Sequence, residues 1–516
     1  MKRVIGAWVV VSASLLAGCA PGPRLQSRGT GIGASATCPA PEDIADLRVL
    51  PQDCLAYIPA GSEQTPLVSP EAQERLNDDF RRRFVGPWHR SVPLTGVAKV
   101  GEPFERYVKS PGYGQNARPR PPAWAKGLLQ SADLGSYPNR CGPQTRGVPA
   151  AKYCGGVPYL AFGVPWQRGI TIRNSSLREM PTHEPRFDSW DKPGSGYPFD
   201  TLQNSAVWVG TPVLVCHAGR GGQWLFVEAP FASGWMPAED VASVDERFIA
   251  AYEKPPLVAI LDDGLPLGDW GPQSRGIGFG VPSGGGFLAT AHIGAVFPLV
   301  GKLPEEIRLL VPRASDEGAT TEVVALPKDK AVVMPLALTP ANVAKVANRM
   351  LGQPYGWGGL YEDRDCSATT RDIFTPFGLW LPRDSVDQAA AGRVVPLKQL
   401  PPAEKERTIL AQGVPFLTLI RSPGHIMLYV GRHDGRALVL HNTWGVKCVA
   451  GVSPAPLGLQ FAGETPATQE GLFPIGRCAI TTLQPGIELP HIVLPQGDLR
   501  NRIESMILLA PAGETK

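Results

Sequence analysis

The sequence predicts a multidomain α+β chain: an N-terminal stabilising segment, two small β-barrels, and a C-terminal α+β domain that carries the chemistry. Three observations predict it. At 516 residues, and about 150 per domain, the length fits three or four domains. The 58 glycines and 54 prolines make the body turn-rich and largely β, with helices gathered toward the two ends. Short apolar runs separated by turn residues through the middle read as strands of small barrels. A net charge of +3 with mixed signs, and no basic cluster interleaved with aromatics, give no case for nucleic acid.

Met1-Lys2-Arg3 is basic, Val4 to Leu15 is apolar, and Leu16-Ala17-Gly18-Cys19 resembles a bacterial lipobox. Residues 1–19 therefore read as a lipoprotein signal peptide, too short to span a membrane as a mature helix. The resemblance implies that Cys19 becomes the lipidated first residue, and Ala20 beside it implies the outer membrane, facing the periplasm, in a Gram-negative cell. Residues 20–37 are a flexible tether with a typical reach of roughly 25 Å. From 38 to 155 the apolar residues Leu76, Phe80 and Phe84 mark a helix from Pro70 to Phe84, and a shorter one runs from Trp124 to Gln130. This segment shows no catalytic constellation and reads as a clasp for the other domains.

Residues 156–252 hold three strand signals, Ala206–Val215, Gln223–Val227 and Gly234–Val241, a pattern similar to bacterial SH3-like barrels. Residues 253–336, with Leu257–Leu261 and Thr321–Ala325 as strands, read as a second, divergent barrel of the same kind. The loop from Arg178 to Gln203 is long enough to wall off one end of a neighbouring cleft.

The last domain, 337–516, is organised around Gly352-Gln353-Pro354-Tyr355-Gly356-Trp357-Gly358-Gly359 followed by Asp365-Cys366-Ser367. Thr339 caps a helix that Pro340 opens, with Val343, Val346, Ala347, Met350 and Leu351 on one face. A second helix begins at Cys366, behind a glycine-rich approach that lets another chain come close. Free N–H groups and the helix dipole there favour thiolate, which marks Cys366 as a nucleophile. The competing reading is a small buried hydrophobe. Downstream, His425 to Gly431 and Ala437 to Leu440 read as two strands around Asp434-Gly435. A two-residue loop would send His425 and His441 to opposite faces. A three-residue loop, His433-Asp434-Gly435, pairs Met427 with His441 and puts both histidines on one face, and is the loop expected here. Then His425 serves as general base and His441 orients its ring. A zinc site from Cys366, His425 and His441 is formally open, but no Cys-x-x-Cys or His-Glu-x-x-His supports it, and neither metal nor other cofactor is expected. Leu472 to Ile480 reads as a closing strand of the same sheet, and Asp498 to Leu508 as a final helix.

Tyr355-Gly356-Trp357-Gly358-Gly359, Asp365-Cys366-Ser367, Gly424 to Gly431 and His441-Asn442-Thr443-Trp444-Gly445, in that order, resemble the NlpC-type cell-wall cysteine peptidases over about 150 residues. The resemblance implies a papain-like fold and hydrolysis of the bond between D-γ-glutamyl and a diamino acid in peptidoglycan stem peptides or muropeptides. It implies that Tyr355 helps hold the oxyanion with the Cys366 N–H. It also implies substrate-side roles for Trp357, Asp365, Ser367 and Ser385, with Asp365 meeting the free ammonium of an N-terminal L-alanine. Their plain alternatives are core packing for Trp357 and helix capping for Asp365 and Ser385. An acyltransferase or amidase on the same core, and a wall-binding lipoprotein without activity, remain the other readings. A monomer, tied to the membrane through its N-terminal lipid, is expected.

Export permits disulfides. Proximity in sequence suggests Cys38–Cys54, Cys141–Cys154 and Cys448–Cys478, with Cys216 left over, though sequence does not fix connectivity.

Overall fold

The structure, a computed structural model, describes residues 43–95, 97–110, 112–114, 118–134, 166–189, 194–268, 286–449, 470–489, 492 and 497–509. The expected signal peptide and tether, with Cys19 and Cys38, and the expected Cys141–Cys154 pair lie outside these residues. No helix among the described residues is long and apolar enough to cross a membrane.

The N-terminal region is helical: α1 (Ala45–Val49), α2 (Pro70–Phe84), α3 (Val97–Lys109) and α4 (Pro122–Ala132). Helix α2 starts where the Ser69 side chain accepts the Ala72 N–H, with Pro70 at the first position. Its Phe80 and Phe84 bury against Leu257, Val296 and Met334 of the region that follows the first barrel. Around α1 the chain clasps the far end of the molecule: Asp46 accepts from the Thr482 N–H and hydroxyl, and Gln52 exchanges two hydrogen bonds with Ile480.

The next seven strands are β1 (Gln167–Thr171), β2 (Ser175–Arg178), β3 (Gln203–Val207), β4 (Pro212–Ala218), β5 (Trp224–Glu228), β6 (Ser233–Pro237) and β7 (Val241–Ser243). They form an antiparallel sheet in the order β3-β2-β6-β5-β4-β1-β7. Leu177, Val207, Val213, Val227 and Met236 fill one side, and Trp235, Leu214, Cys216 and Phe226 meet Phe104 and Tyr107 of α3 on the other. Cys216 is a buried free thiol.

After α5 (Glu246–Glu253) come β8 (Leu257–Ile260), β9 (Leu265–Leu267), β10 (Ala289–Ala291), β11 (Val296–Lys302), β12 (Glu306–Ser315), β13 (Gly318–Pro327) and β14 (Ala331–Val333). They form a five-stranded sheet, β13-β12-β11-β8-β14, and the hairpin β10-β9, around Val258, Ile260, Phe297, Leu309 and Leu326.

The C-terminal domain comprises α6 (Pro340–Asn348), α7 (Cys366–Phe374), α8 (Ser385–Gln388), β15 (Arg393–Pro396), α9 (Pro402–Gln412), β16 (Thr418–Ser422), β17 (His425–His433), β18 (Arg436–Val449), β19 (Glu470–Thr482), α10 (Leu499–Arg502) and β20 (Ser505–Leu508). Its strands run in the order β15-β20-β16-β17-β18-β19. Helices α6 and α7 bury Val343, Met350, Ile373 and Phe374 on the face that presents Ile426, Leu428, Leu440 and Ile480. Helix α9 covers the other face, where Ile409 meets Met427, Tyr429 and Val439.

Two expectations fail here. The segment from Asp498 to Leu508 is one helical turn, capped by Asp498, followed by strand β20, which pairs with both β15 and β16. Ser505 to Leu508 is buried on both faces, and so short an apolar run has no period to separate strand from helix. The Cys448–Cys478 disulfide is also absent. Cys448 stands opposite Gly471 and Cys478 opposite Asn442, six residues apart along the ladder and so about 20 Å, beyond disulfide reach. Cys54, the described half of the other N-terminal pairing, is a buried free thiol.

Candidate active site

Helix α7 begins at Cys366 because Asp365 adopts extended backbone and its Oδ1 accepts the Ala368 N–H at 2.9 Å. The preceding loop turns on Gly358 (φ 63°) and Gly359 (φ 84°). Strand β3 lies directly against it. A Cβ on Gly358 would stand 2.2 Å from the Gln203 carbonyl oxygen, and one on Gly359 2.5 Å from the Ala206 Cβ, so glycine is what admits the neighbouring strand.

The Cys366 side is only 6 % exposed, and the Ile426 N–H donates to its sulfur. Burial, then the neighbouring Asp365 carboxylate, push the thiol up to about 12, against the opposing pull of the Ile426 N–H and of Arg383. The sequence-based expectation of a resting thiolate is therefore corrected: desolvation outweighs the helix terminus, and the group rests as a thiol.

The hairpin loop is also corrected, with an instructive outcome. His433 pairs with Arg436 across the two-residue loop Asp434-Gly435, whose φ values of 49° and 74° are those of a type I′ turn. On its own this register would separate the histidines. A bulge at Val430 then shifts the pairing by one residue, so that Tyr429 faces Val439 and Leu428 faces Leu440. Carried on, that offset sets Met427 opposite His441 as expected, by a different device. His425 Nε2 lies 2.8 Å from His441 Nδ1, and His441 Nε2 lies 3.1 Å from the Thr481 hydroxyl on β19. Burial, then the nearby Arg502 cation, lower His425 to about 4; burial, then His425, also lower His441 well below its usual range. Both rings are neutral at physiological pH.

Tyr355 is 8 % exposed, and burial first, with the nearby Asp365 carboxylate, raises its phenol well above the usual range, so that it stays protonated as a donor. Trp357 stands at the cleft with 40 % of its surface exposed. Its ring meets Phe199, from the loop between β2 and β3, at 5.4 Å. Phe199 also packs near Tyr355 and Trp444, and Tyr197 near Trp444, so the long barrel loop reaches the cleft. Ser385 opens α8, which Gln388 ties to the Ser367 and Pro382 carbonyls.

Asp365 is held from several sides. Its carboxylate accepts from five donors: Ala368 N–H, Gly358 N–H, the Ser367 hydroxyl and two Arg383 nitrogens at 3.1 and 2.7 Å. Arg383 balances its charge, and these donors fix the orientation of the carboxylate at the start of α7. Ser367 is held by the same arginine. Arg383 itself was not legible as a site residue, because nothing in Leu381-Pro382-Arg383 signals a partner eighteen residues upstream. Its Nε also donates to Ser205 of β3, joining barrel and site. A second buried cation, Arg364, bonds Asp263, Asp372 and the Ile293 carbonyl, fastening the middle region to α7.

Three family models match the chain. Residues 8–137 match the N-terminal NLPC_P60 stabilising domain, 185–237 an SH3 domain of the SH3b1 type, and 352–449 the NlpC/P60 family. Two Corynebacterium glutamicum proteins, each named as a probable endopeptidase, are 33 % identical over 94 and 92 residues. The match covers 17 % of this chain and 44 % of each relative, so the chain spans under half the length of the curated relatives it matches. A solved NlpC/P60 endopeptidase from Photobacterium damselae subsp. piscicida shares the fold over 90 % of this chain and 98 % of its own, with a TM-score of 0.71 at 23 % identity.

Proposed function

We propose, from the NlpC/P60 family domain this chain carries behind a stabilising domain and an SH3 domain, that it is a cell-wall cysteine peptidase. It hydrolyses the γ-D-glutamyl–diamino acid bond of peptidoglycan stem peptides. The observation that carries the reading is the buried Cys366 thiol at a helix start, held by the Ile426 N–H next to a histidine whose far nitrogen is engaged by a second histidine.

The mechanism follows from two neutral partners. As Cys366 Sγ attacks the γ-glutamyl carbonyl carbon, His425 takes the thiol proton, because a thiol at about 12 is a poor nucleophile until it loses it. The Cys366 N–H and the Tyr355 hydroxyl hold the oxyanion. His425 then returns the proton to the leaving amine of the diamino acid, leaving a thioester on Cys366. Water, activated by the same imidazole, releases the glutamyl product.

Substrates with a free N-terminal L-Ala are preferred, for a steric reason: Phe199 and Tyr197 close the cleft where a longer donor chain would run. The protein acts as a monomer, exported and lipid-anchored through Cys19. Mass spectrometry of stem peptides incubated with the full chain tests this reading. L-Ala-started peptides are cleaved at the γ-glutamyl bond, and the same peptides extended at that amine by a bulky group are cleaved at least about tenfold more slowly. Equal cleavage of both would remove the end wall from the account.

A further inference from the structure

We infer that Thr481 is a positioning residue that selects the tautomer of His425 through His441, so that the nitrogen facing Cys366 is the one without a proton. This rests on reading Cys366 and His425 as the reacting pair. Protons can be counted along one chain of contacts. The Thr481 hydroxyl has a single proton, and it donates that proton to the Thr482 carbonyl at 2.8 Å. At its 3.1 Å contact with His441 Nε2 it therefore accepts, and His441 carries its proton on Nε2.

A neutral imidazole has one N–H, so His441 Nδ1 is bare. The 2.8 Å contact to His425 then takes its proton from His425 Nε2. That leaves His425 Nδ1, the ring nitrogen next to the backbone, as a lone pair. The Ile426 N–H, next along the backbone, donates to the Cys366 sulfur, and on that placement we assign Nδ1 as the nitrogen that faces it. Reversing the Thr481 hydroxyl would reverse every member of the relay and put a hydrogen on His425 Nδ1, where it could accept nothing. The reversal would also cost the 2.8 Å bond to the Thr482 carbonyl, at a residue that is fully buried.

Strand pairing explains the placement. Thr481 sits opposite Val439 and Ala479 opposite His441, so Thr481 and His441 are diagonal neighbours on one face of the β18–β19 ladder.

The test uses the full chain with ring-¹⁵N-labelled histidine, in the wild type, Thr481→Val and Thr481→Ser. In the wild type, His425 and His441 are both expected as Nε2–H tautomers. Valine keeps the volume and removes the acceptor, so in Thr481→Val both rings should change to Nδ1–H, and kcat for stem-peptide cleavage should fall by about 100-fold, the scale of a lost general base, with little change in KM. Thr481→Ser should restore the tautomers and the rate. A wild-type spectrum with His425 as Nδ1–H would overturn the inference even if no variant folds. So would a Thr481→Val protein with unchanged tautomers, whatever its rate. Absence of stem-peptide cleavage by the wild type would instead sink the peptidase reading and leave the tautomer measurement standing.

Discussion

At the scale of single residues, the site is a neutral pair. The same burial that protects the sulfur raises Cys366 and lowers His425, so the charged ion pair that a helix terminus suggests is not the resting state. The sign of the pH dependence follows. His425 must be unprotonated to accept, and with its value near 4 it stays so down to mildly acidic pH. The kcat/KM for stem-peptide cleavage should hold on the acid side and fall only as pH drops through about 4, whereas an unperturbed histidine would place that limb near 6.5. A pH–rate profile with its acid limb at 6.5 or above would contradict the neutral pair. The placing of Cys366 at a helix start and of His425 against His441 was legible because short, chemistry-bearing motifs surround these residues. Arg383 and Thr481 were not, since their meaning lies in partners brought together by packing and by strand pairing, forty residues away for His441 and Thr481.

At the scale of elements, the hairpin shows where sequence reading stops. Asp434-Gly435 announces a tight turn, and the strands on either side are plain in their apolar residues. The bulge has no comparable signal, because Val430-Gly431 reads as an ordinary continuation of β17. Yet the bulge is what returns His425 and His441 to each other. Gly431 marks the position: its φ of 135° suits glycine, and a Cβ there would stand 3.0 Å from the Tyr57 carbonyl oxygen. Gly431→Ala should therefore cost about 1–3 kcal/mol of stability, read from the urea midpoint, and lower cleavage with it. Unchanged stability and rate would show that the bulge tolerates a side chain and does not set the register. The last strand, β20, escaped for the opposite reason: an apolar run buried on both faces has no period to read.

At the scale of the molecule, the order of regions was legible from composition and turn spacing, while the contacts between them were not. The sequence shows a glycine-rich loop before Cys366; the packing shows that Gly358 and Gly359 admit strand β3, that Arg383 bonds Ser205 across the same junction, and that Phe199 of the long barrel loop packs on Trp357. The N-terminal segment, in which no catalytic constellation was read, binds the edge strand β19 of the C-terminal sheet through Asp46 and Gln52, the strand that supplies Thr481. Everything then converges on one sulfur. The most direct measurement is the intact mass of the full chain, acid-quenched during turnover of an L-Ala-γ-D-glutamyl-diamino acid peptide, with the modified peptide mapped. A transient L-Ala-γ-D-glutamyl thioester is expected on Cys366 and is absent from Cys366→Ala, which releases no diamino acid. Turnover that continues in Cys366→Ala, with no adduct on the wild type, would contradict it.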